Sequence, residues 1–341
     1  MPDPNRSALS IVIPVHSGRT TLERCLESVA PQLAHADEII VVDDGSSEDM
    51  SSVAAAHGAT LVRLDRQSGA AAARNRGAAM AVRSWLLFLD SDVALHPDGL
   101  ARVRVWTNDG TVDGVIGSYD DAPDASGMVS RFKNLAHHYF HQQAPGPIAS
   151  FWGACGAVRR DLFSRVGGFD ERRFARPSIE DVELGWRMAD QHARIVLDPA
   201  LQVTHLKRWT LQSLIVTDVM DRAMPWTRWA LARGRITSDL NTSGTQRVAA
   251  VLALLLVATG LSSIAISSLH LPFLAMIVAA VVLNRGLFHL FWRRGGATLF
   301  LAGFFLQQLY YLCALTGLAL GIVQYARTGR GASAPPAGAR V

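Results

Sequence analysis

The stretch of sequence that most directly suggests chemistry is WLLFLDSD at residues 85–92, where five apolar residues lead straight into two aspartates. In a β-strand, Asp90 and Asp92 would point to the same side, because side chains alternate between the two faces of a strand. Adjacent carboxylates repel each other unless a cation or hydrogen bonds stabilise them, and carboxylate oxygens are ligands for hard divalent cations. The pair therefore predicts a metal site, although aspartate also opens turns after strands.

The segments around these aspartates alternate between strand and helix patterns. Three apolar runs besides the one before Asp90 predict strands: LSIVIPVH at 9–16, DEIIVVDD at 37–44 and ATLVRLD at 59–65. Helical patterns separate them, such as the apolar face formed by Leu22, Leu26 and Val29. This alternation predicts an α/β fold built from βαβ units around a mostly parallel sheet.

In such sheets, ligands bind at the carboxyl ends of the strands. Asp43 and Asp44 end the second predicted strand, as Asp90 and Asp92 end the fourth, so both acidic pairs are expected at one rim. For Asp43 and Asp44 alone, turn formation is an equally good explanation.

Two common nucleotide-binding motifs are missing from the expected positions. The segment IPVHSGRT after the first strand has one glycine where a dinucleotide fingerprint needs three, and the sequence has no P-loop lysine motif. These absences argue against an NAD-type dehydrogenase and against an NTPase.

Charge is distributed unevenly along the 341 residues. The last carboxylate is Asp239, and the residues beyond it carry seven arginines scattered among long apolar runs. Arginine in such a setting favours the anionic cytoplasmic face of a membrane. The basic surplus therefore does not predict a nucleic-acid partner.

The apolar runs predict about three transmembrane segments. Residues 248–269 are uncharged and exceed the roughly 20 residues that cross a bilayer, 271–284 form a shorter second candidate, and 297–326 form a third. Residues 285–296 mix aromatic residues with arginines, as in a helix that lies in the membrane interface. The arginines that border the first two segments predict a multi-pass protein of the cytoplasmic (inner) membrane, with its N-terminal region in the cytosol.

Several motifs in the first 209 residues resemble those of family 2 glycosyltransferases with the GT-A fold. They are VIPVH, IIVVDDGSS, SGAAAARNRGAA, LLFLDSD, GGFDE and EDVELGWRM, in that order. The resemblance implies an inverting enzyme that uses a nucleotide-diphosphate sugar and Mg²⁺ or Mn²⁺. The overall plan of the chain is similar to that of family members anchored by C-terminal transmembrane helices.

The resemblance also implies roles for residues on the donor side. Pro14 and Val15 would border the nucleotide base, and Asp44, with Asp43, would contact base or ribose. Arg74 in ARNRG resembles the residue that helps hold the nucleotide, although it could instead be a solvent-facing helix charge.

Asp90 and Asp92 resemble the DxD pair of GT-A enzymes. Asp92 would be the direct metal ligand, with Asp90 beside it and nearer the ribose. The metal would bridge the diphosphate and neutralise the charge that grows as the nucleotide leaves.

Inversion at the anomeric carbon requires a general base opposite the leaving group. The segment SIEDVELGW offers Glu180 and Asp181, and the resemblance favours Asp181. Both residues could alternatively be first-turn carboxylates favoured by a helix dipole.

The acceptor side is expected around FWGACGAVRRDLF and HLKRW. The small residue Gly153 would let the backbone approach an acceptor, and Trp152 would stack on a sugar or simply pack in the core. HLKRW resembles a Q-x-x-R-W motif with His205 in place of glutamine. Arg208 could then pair with the diphosphate and Trp209 cap the acceptor channel, while His205 could alternatively complete the metal site.

These observations divide the chain into a GT-A catalytic domain at 1–210 and amphipathic interfacial helices at 211–247. A membrane domain follows at 248–326, and a disordered tail at 327–341. The leading hypothesis is transfer of a sugar from a UDP- or GDP-sugar to a lipid-linked or glycolipid acceptor at the cytoplasmic membrane face. A processive polysaccharide synthase, a polyprenyl-phosphate glycosyltransferase and a non-catalytic membrane protein are the alternatives.

Overall fold

The computed structural model describes residues 8–234 and 240–328. The chain divides into two compact units. The first contains residues 8–126 and 140–208, and the second contains 127–139 together with the described residues from 209 to 328. The segment 127–139 thus packs with the C-terminal residues, although the bounds drawn from the sequence place it in the catalytic domain.

The first unit is built on one mixed β-sheet. Its nine described strands are β1 (Leu9–Val15), β2 (Glu38–Asp43), β3 (Thr60–Arg63), β4 (Trp85–Leu89), β5 (Val93–Leu95), β6 (Gly114–Tyr119), β7 (Gly146–Ile148), β8 (Cys155–Arg159) and β9 (Ile195–His205). They lie in the order β3-β2-β1-β4-β8-β6-β9-β5, with β7 beside β9.

The two halves of the sheet differ in strand direction. Strands β3, β2, β1 and β4 are parallel, as the sequence pattern predicts, and every residue of β1 and β4 is buried. Beyond β4, strand β8 runs antiparallel to β4 and to β6, whereas β6 and β9 are parallel. The predicted α/β class is confirmed.

The helices that lie between these strands in the sequence are short. They are α1 (Arg19–Val29), α2 (Ser51–Ala56), α3 (Ala70–Met80), α4 (Gly99–Asp109), α5 (Met128–Gln142), α6 (Arg160–Arg165) and α7 (Glu180–Asp190), of which α5 extends from the second unit into the first. Helix α1 buries Leu22, Leu26 and Val29, the face that its apolar spacing predicts. Helix α3 presents Gly77 to Val12 of β1, where a larger side chain would collide.

The second unit is helical. After α5 come α8 (Leu211–Val216), a π-helical segment at Thr217–Ala223, α9 (Met224–Arg233), α10 (Gly244–Ser263), α11 (His270–Leu283) and α12 (Arg285–Thr328). Helix α12 is interrupted at Gly296, whose φ of 60° lies in the left-handed region that favours glycine. The segment 285–295 then folds back, so that Phe288 contacts Phe300 and Phe304 at ring-centroid distances of 5.5 and 6.0 Å.

Two described helices, Gly244–Ser263 and Arg285–Arg327, are long and apolar enough to cross a membrane, and Ser267–Leu283 is shorter. Three polar side chains of this region, Gln246, Asn284 and Tyr311, contact one another. The Tyr311 hydroxyl lies 2.7 Å from Oδ1 of Asn284 and 2.8 Å from Oε1 of Gln246. Such contacts hold apolar helices together. The number of crossings stays a prediction.

Candidate active site

The predicted base-binding residues meet at the carboxyl end of β1. Strand β1 lies between β2 and β4, so its last residues are adjacent to the acidic ends of both neighbours. Val15 pairs with Asp43 in the sheet, and the N–H of Asp44 donates to the carbonyl of Val15 across 2.8 Å. Pro14, one residue earlier, pairs with Val42.

The two aspartates after β2 also fix nearby loops. The carboxylate of Asp44 accepts the N–H groups of Ser68 and Gly69 at 2.7 and 2.8 Å, and Oδ1 of Asp43 accepts the N–H of Ser46 at 2.8 Å. Both carboxylates are buried. The turn-forming role considered for this pair therefore operates in the structure, and contact with a base or ribose stays a prediction.

Arg74 contacts acids from two separate segments, one after β4 and one at the start of α7. Its Nη2 donates to Oδ1 of Asp90 across 2.7 Å, and its Nη1 donates to Oε1 of Glu180 across 3.0 Å. Only 4% of the residue is exposed, so the solvent-facing alternative is wrong. The guanidinium also lies 5.4 Å from the ring centroid of Phe169.

Asp92 is adjacent to a histidine from the last strand of the sheet. Strands β5 and β9 pair Val93 with His205, which brings Nε2 of His205 to 3.7 Å from Oδ2 of Asp92. The imidazole stacks on the ring of Tyr119 at a centroid distance of 4.4 Å and an interplanar angle of 11°. Burial acts to raise the pKa of Asp92, but His205 and Lys207 outweigh it and hold that pKa below its ordinary value.

Asp92 and His205 could supply only some of the ligands of a metal ion. Among residues 8–234 and 240–328, no group of three or more histidine, cysteine, aspartate or glutamate side chains is arranged to bind an ion. The carboxylate of Asp92 and the imidazole of His205 supply two donor atoms, and the Asp92 side chain is 30% exposed. Mg²⁺ and similar ions commonly take one or two protein ligands and complete their coordination with phosphate oxygens and water. The donor set fits such an open site.

Asp181 lies in the first turn of α7 and is held by backbone groups. Its Oδ2 accepts the N–H of Gly153 across 3.1 Å, and its Oδ1 accepts the N–H of Val182 across 2.8 Å. Burial and the neighbouring Glu180 raise the pKa of Asp181 to about 6, against the opposing effects of the Gly153 N–H and the Arg74 charge. A carboxylate with this pKa is a stronger base than an ordinary aspartate and is ionised at neutral pH.

Glu180 makes different contacts from its neighbour. Its Oε1 accepts from Arg74, and its Oε2 accepts the N–H of Ser178 across 2.7 Å. The residue is 5% exposed. One oxygen of Glu180 is held by the Arg74 guanidinium, whereas the hydrogen bonds to Asp181 come from backbone N–H groups, which makes Glu180 a weaker candidate for the base than Asp181.

A glycine allows the loop before β8 to approach α7. A Cβ atom built on Gly185 would lie 2.6 Å from the carbonyl carbon of Ser150 and would also collide with the backbone of Phe151. The close packing explains how Gly153, two residues further on, reaches the Asp181 carboxylate. The G of EDVELGWRM thus has a packing role in the site.

Trp152 lies in an aromatic cluster of the first unit. Its ring makes edge-to-face contacts with Tyr119 at 4.9 Å and with His141 at 5.0 Å, measured between ring centroids. The side chain is half-buried and packs against the main hydrophobic core. Both possibilities raised from the sequence, a core residue and a sugar platform, are compatible with this position.

The two ends of HLKRW fall in different units. Arg208 is exposed at the end of the first unit, and Trp209 is buried in the second. The backbone N–H of Trp209 donates to Oγ of Ser130 across 2.8 Å, and the centroid of the indole ring lies 5.6 Å from Nζ of Lys133. The proposed contacts of Arg208 with diphosphate and of Trp209 with an acceptor stay predictions.

Tyr119 is the site residue that the sequence analysis missed. It ends β6, and the acid Asp120 follows it directly, which repeats the strand-then-acid pattern seen at Asp43 and Asp90. The pattern was available in GVIGSYD, but the position of β6 beside β9 depends on pairing between distant segments.

Comparison with known proteins shows that the chain is similar to glycosyltransferases. Residues 10–167 match the model described as "Glycosyl transferase family 2". A pre-mycofactocin glycosyltransferase of Mycobacterium tuberculosis is 30% identical over 221 residues, which cover 62% of this chain and 45% of that protein. A PGL/p-HBAD biosynthesis glycosyltransferase of Mycobacterium bovis is 35% identical over 103 residues, covering 28% and 40% of the two chains. The chain spans less than half the length of these curated relatives.

Among solved structures, the mannosyltransferase PcManGT from Pyrobaculum calidifontis, in complex with GDP-Man and Mn²⁺, aligns with a TM-score of 0.55 and 16% identity. The alignment covers 91% of this chain and 86% of that one. The chain therefore shares the GT-A fold of this neighbour. Its residues 10–167 are similar to glycosyltransferase family 2, in agreement with the resemblance found in the motifs. Asp181 and His205 lie outside the matched region, so their roles depend on the geometry described above.

Proposed function

We propose that the protein is an inverting glycosyltransferase, which moves a sugar from a UDP- or GDP-sugar to a hydroxyl of a lipid-linked or glycolipid acceptor at the cytoplasmic membrane face. In this reaction the acceptor oxygen forms a bond to the anomeric carbon, and the bond from that carbon to the diphosphate oxygen breaks. The acceptor proton passes to Asp181, and the nucleoside diphosphate leaves.

The observation that carries this proposal is the pair of hydrogen bonds from Arg74 to Asp90 and to Glu180, at 2.7 and 3.0 Å. It holds Asp90, after β4, and Glu180, at the start of α7, on one guanidinium. An inverting transfer requires a donor site and a base in that relationship. The placement of Asp181 directly after Glu180 supports its role as the base.

On the donor side, Asp92 and His205 are proposed to hold a divalent cation. When bound, such an ion neutralises charge on the departing diphosphate. PcManGT, the similar structure, holds Mn²⁺ together with GDP-Man. In this chain the two groups are close enough to share an ion, because Nε2 of His205 lies 3.7 Å from Oδ2 of Asp92. The residues themselves do not distinguish Mg²⁺ from Mn²⁺.

The need for a general base, here Asp181, is the ground for proposing a hydroxyl acceptor. A phosphate monoester has a second pKa of about 6 and needs little help to become nucleophilic near neutral pH. A hydroxyl does need a general base. The raised pKa of Asp181, about 6, suits proton removal from a hydroxyl and supports that acceptor over a polyprenyl phosphate.

The helical unit supports the membrane part of the proposal. Apolar side chains of its candidate spans are widely exposed, including Ile264 at 84%, Leu271 at 75% and Phe305 at 69%. Trp292 and two arginines, Arg293 and Arg294, are exposed close to the turn at Gly296. Tryptophan and arginine are typical of the region where lipid headgroups meet water.

The full chain in lipid vesicles should release nucleotide from one member of a panel of UDP- and GDP-sugars when Mn²⁺ and a glycolipid acceptor are present. Asp181→Asn should retain donor binding but lose at least about 100-fold in turnover, the low end for general-base catalysis. Asp190→Asn, at the exposed opposite end of α7, is the matched control and should behave like the wild type. Full turnover by Asp181→Asn would contradict the assigned base.

The size of the labelled product separates the alternatives. A single added sugar supports the proposed transfer, whereas a ladder of lengths supports a processive synthase. If product forms only when the acceptor is a polyprenyl phosphate, the proposed hydroxyl acceptor is wrong.

A further inference from the structure

We infer that Arg74 is a positioning residue that fixes the separation between the donor-side carboxylate Asp90 and the base-bearing helix α7, and does not itself bind the diphosphate. The inference rests on the proposed function, because it assigns the two acids to the two sides of a transfer reaction. It also replaces the nucleotide-holding role that the family resemblance implies for this arginine.

The geometry requires the fork of a guanidinium. Two different nitrogens of Arg74 contact two carboxylates, one at the end of β4 and one at the start of α7. These partners lie 16 and 106 residues away in the sequence. A lysine has a single charged nitrogen and lacks the planar fork that spans two such acceptors.

The guanidinium of Arg74 is enclosed by its neighbours. The Arg74 side chain is 5% exposed, and the ring of Phe169 lies 5.4 Å from its central carbon. The Cα of Gly153 covers it from another side, because a Cβ built there would lie 3.0 Å from Cζ of Arg74. A side chain that recruited a diphosphate from solvent would need to be more accessible than this.

The same contact links Arg74 to the proposed base. Gly153, which packs on the guanidinium, also donates its N–H to Asp181. A displaced Arg74 side chain would therefore disturb the loop that orients the Asp181 carboxylate. A misplacement of about 1 Å in such a site can cost on the order of 100-fold in rate.

Arg74 is also the positive charge among several acids. The charged groups that act on Asp181 are Glu180, on its own helix, and Arg74, from α3. Glu180 raises the pKa of Asp181 and Arg74 lowers it. Without Arg74, protonation of Asp181 would extend to higher pH, and Asp90 and Glu180 would be left as buried carboxylates without a counter-charge.

The test compares pH profiles of nucleotide release by the full chain in vesicles, with the active donor and Mn²⁺. Arg74→Gln should lower kcat about 100-fold and move the acidic limb of kcat/KM to higher pH by about one unit. Arg74→Lys keeps the charge and should leave that limb near its wild-type position, while kcat still falls because one nitrogen cannot span both acids. Arg76→Gln, an exposed arginine of the same helix, should match the wild type.

An Arg74→Gln variant that keeps the wild-type acidic limb and kcat, and shows only a raised KM for the donor, would overturn the inference in favour of direct nucleotide binding. If the acidic limb of kcat/KM moves equally in Arg74→Lys and Arg74→Gln, the charge of Arg74 does not set the pKa of Asp181, which would likewise overturn the inference.

A second measurement does not depend on turnover. Unfolding of wild type, Arg74→Gln, Glu180→Gln and the double variant forms a thermodynamic cycle. The double variant should lose less free energy of unfolding than the two single variants lose in sum, because Glu180→Gln removes the carboxylate that Arg74→Gln leaves unpaired. Additive effects would overturn the inference. A wild-type chain that releases no nucleotide from any donor would instead contradict the proposed function, and the cycle would still decide the assignment of Arg74.

Discussion

The backbone N–H of Gly153 donates to Oδ2 of Asp181 across 3.1 Å, so the loop before β8 orients the carboxylate that opens α7. The N–H of Val182 binds the other oxygen across 2.8 Å. Each oxygen of an ionised carboxylate can accept two hydrogen bonds. Asp181 therefore keeps capacity on both oxygens for the proton of an incoming hydroxyl while its orientation is fixed.

The pH dependence of the reaction should report the ionisation of Asp181. Burial and Glu180 raise the pKa of this carboxyl group from its ordinary value of 3.8 to about 6. Only the deprotonated form can act as a base, so kcat/KM should fall as the pH drops through about 6 and level off above it. Rates measured from pH 4.5 to 8.5 with the matched donor check this. A limb centred near 4 would show that the carboxylate is not perturbed as described.

Tyr119 should affect metal dependence through His205. The two rings stack at 4.4 Å, and outer residues that orient a metal ligand typically contribute about 10–100-fold to metal affinity. Tyr119→Ala should raise the Mn²⁺ concentration needed for half-maximal turnover by about 10-fold or more. Tyr119→Phe keeps the ring and is the matched control, with an expected midpoint close to that of the wild type. If both variants need the same Mn²⁺ concentration for half-maximal turnover, the Tyr119 ring does not orient His205 for metal binding.

The sequence predicts the part of the site that local patterns encode. An apolar run that ends in acids can be recognised within about eight residues, which is why Asp43, Asp44, Asp90 and Asp92 are placed correctly at strand ends. Parallel order follows from helices between successive strands. The placement of these acids therefore required no knowledge of distant contacts.

The remainder of the site depends on pairings that local patterns do not encode. Arg74 appears in the sequence as one of two arginines in an alanine-rich helix, and nothing nearby indicates that its partner Glu180 lies 106 residues away. The stacking of Tyr119 on His205 likewise requires β6 and β9 to be neighbours in the sheet. Burial excludes the solvent-facing alternative for Arg74, because the guanidinium is enclosed between two segments, one at Phe169 and one at Gly153.

Gly185 should be required for both stability and turnover. An alanine Cβ at this position would lie 2.6 Å from the carbonyl carbon of Ser150, and backbone atoms cannot relax as a flexible side chain can. Gly185→Ala should cost about 1–3 kcal/mol in the free energy of unfolding, the usual range for overpacking. It should also lower kcat/KM, because the loop that carries Gly153 is pushed away from Asp181.

The matched control for this substitution is Gly244→Ala at the start of α10, where no heavy atom lies within 4 Å of the added Cβ. That variant should be as stable as the wild type, because alanine favours a helix over glycine. Denaturant unfolding of both variants checks the expectation. Equal stability of the two would contradict the close packing of α7 on residues 150–151.

The second unit should depend on a buried ion pair. Nζ of Lys133 on α5 contacts Oδ1 of Asp218 in the π-helical segment, and the two side chains are 9% and 3% exposed. Lys133→Met should cost about 3–5 kcal/mol in the free energy of unfolding, because it leaves Asp218 as an unpaired buried charge. Lys133→Met combined with Asp218→Leu should recover most of this loss.

Arg165→Met breaks the surface pair with Asp161, whose side chains are 62% and 65% exposed, and should cost at most about 1 kcal/mol. Thermal unfolding in detergent measures all four proteins, and a double variant no more stable than Lys133→Met would show that the aspartate is not the source of the penalty.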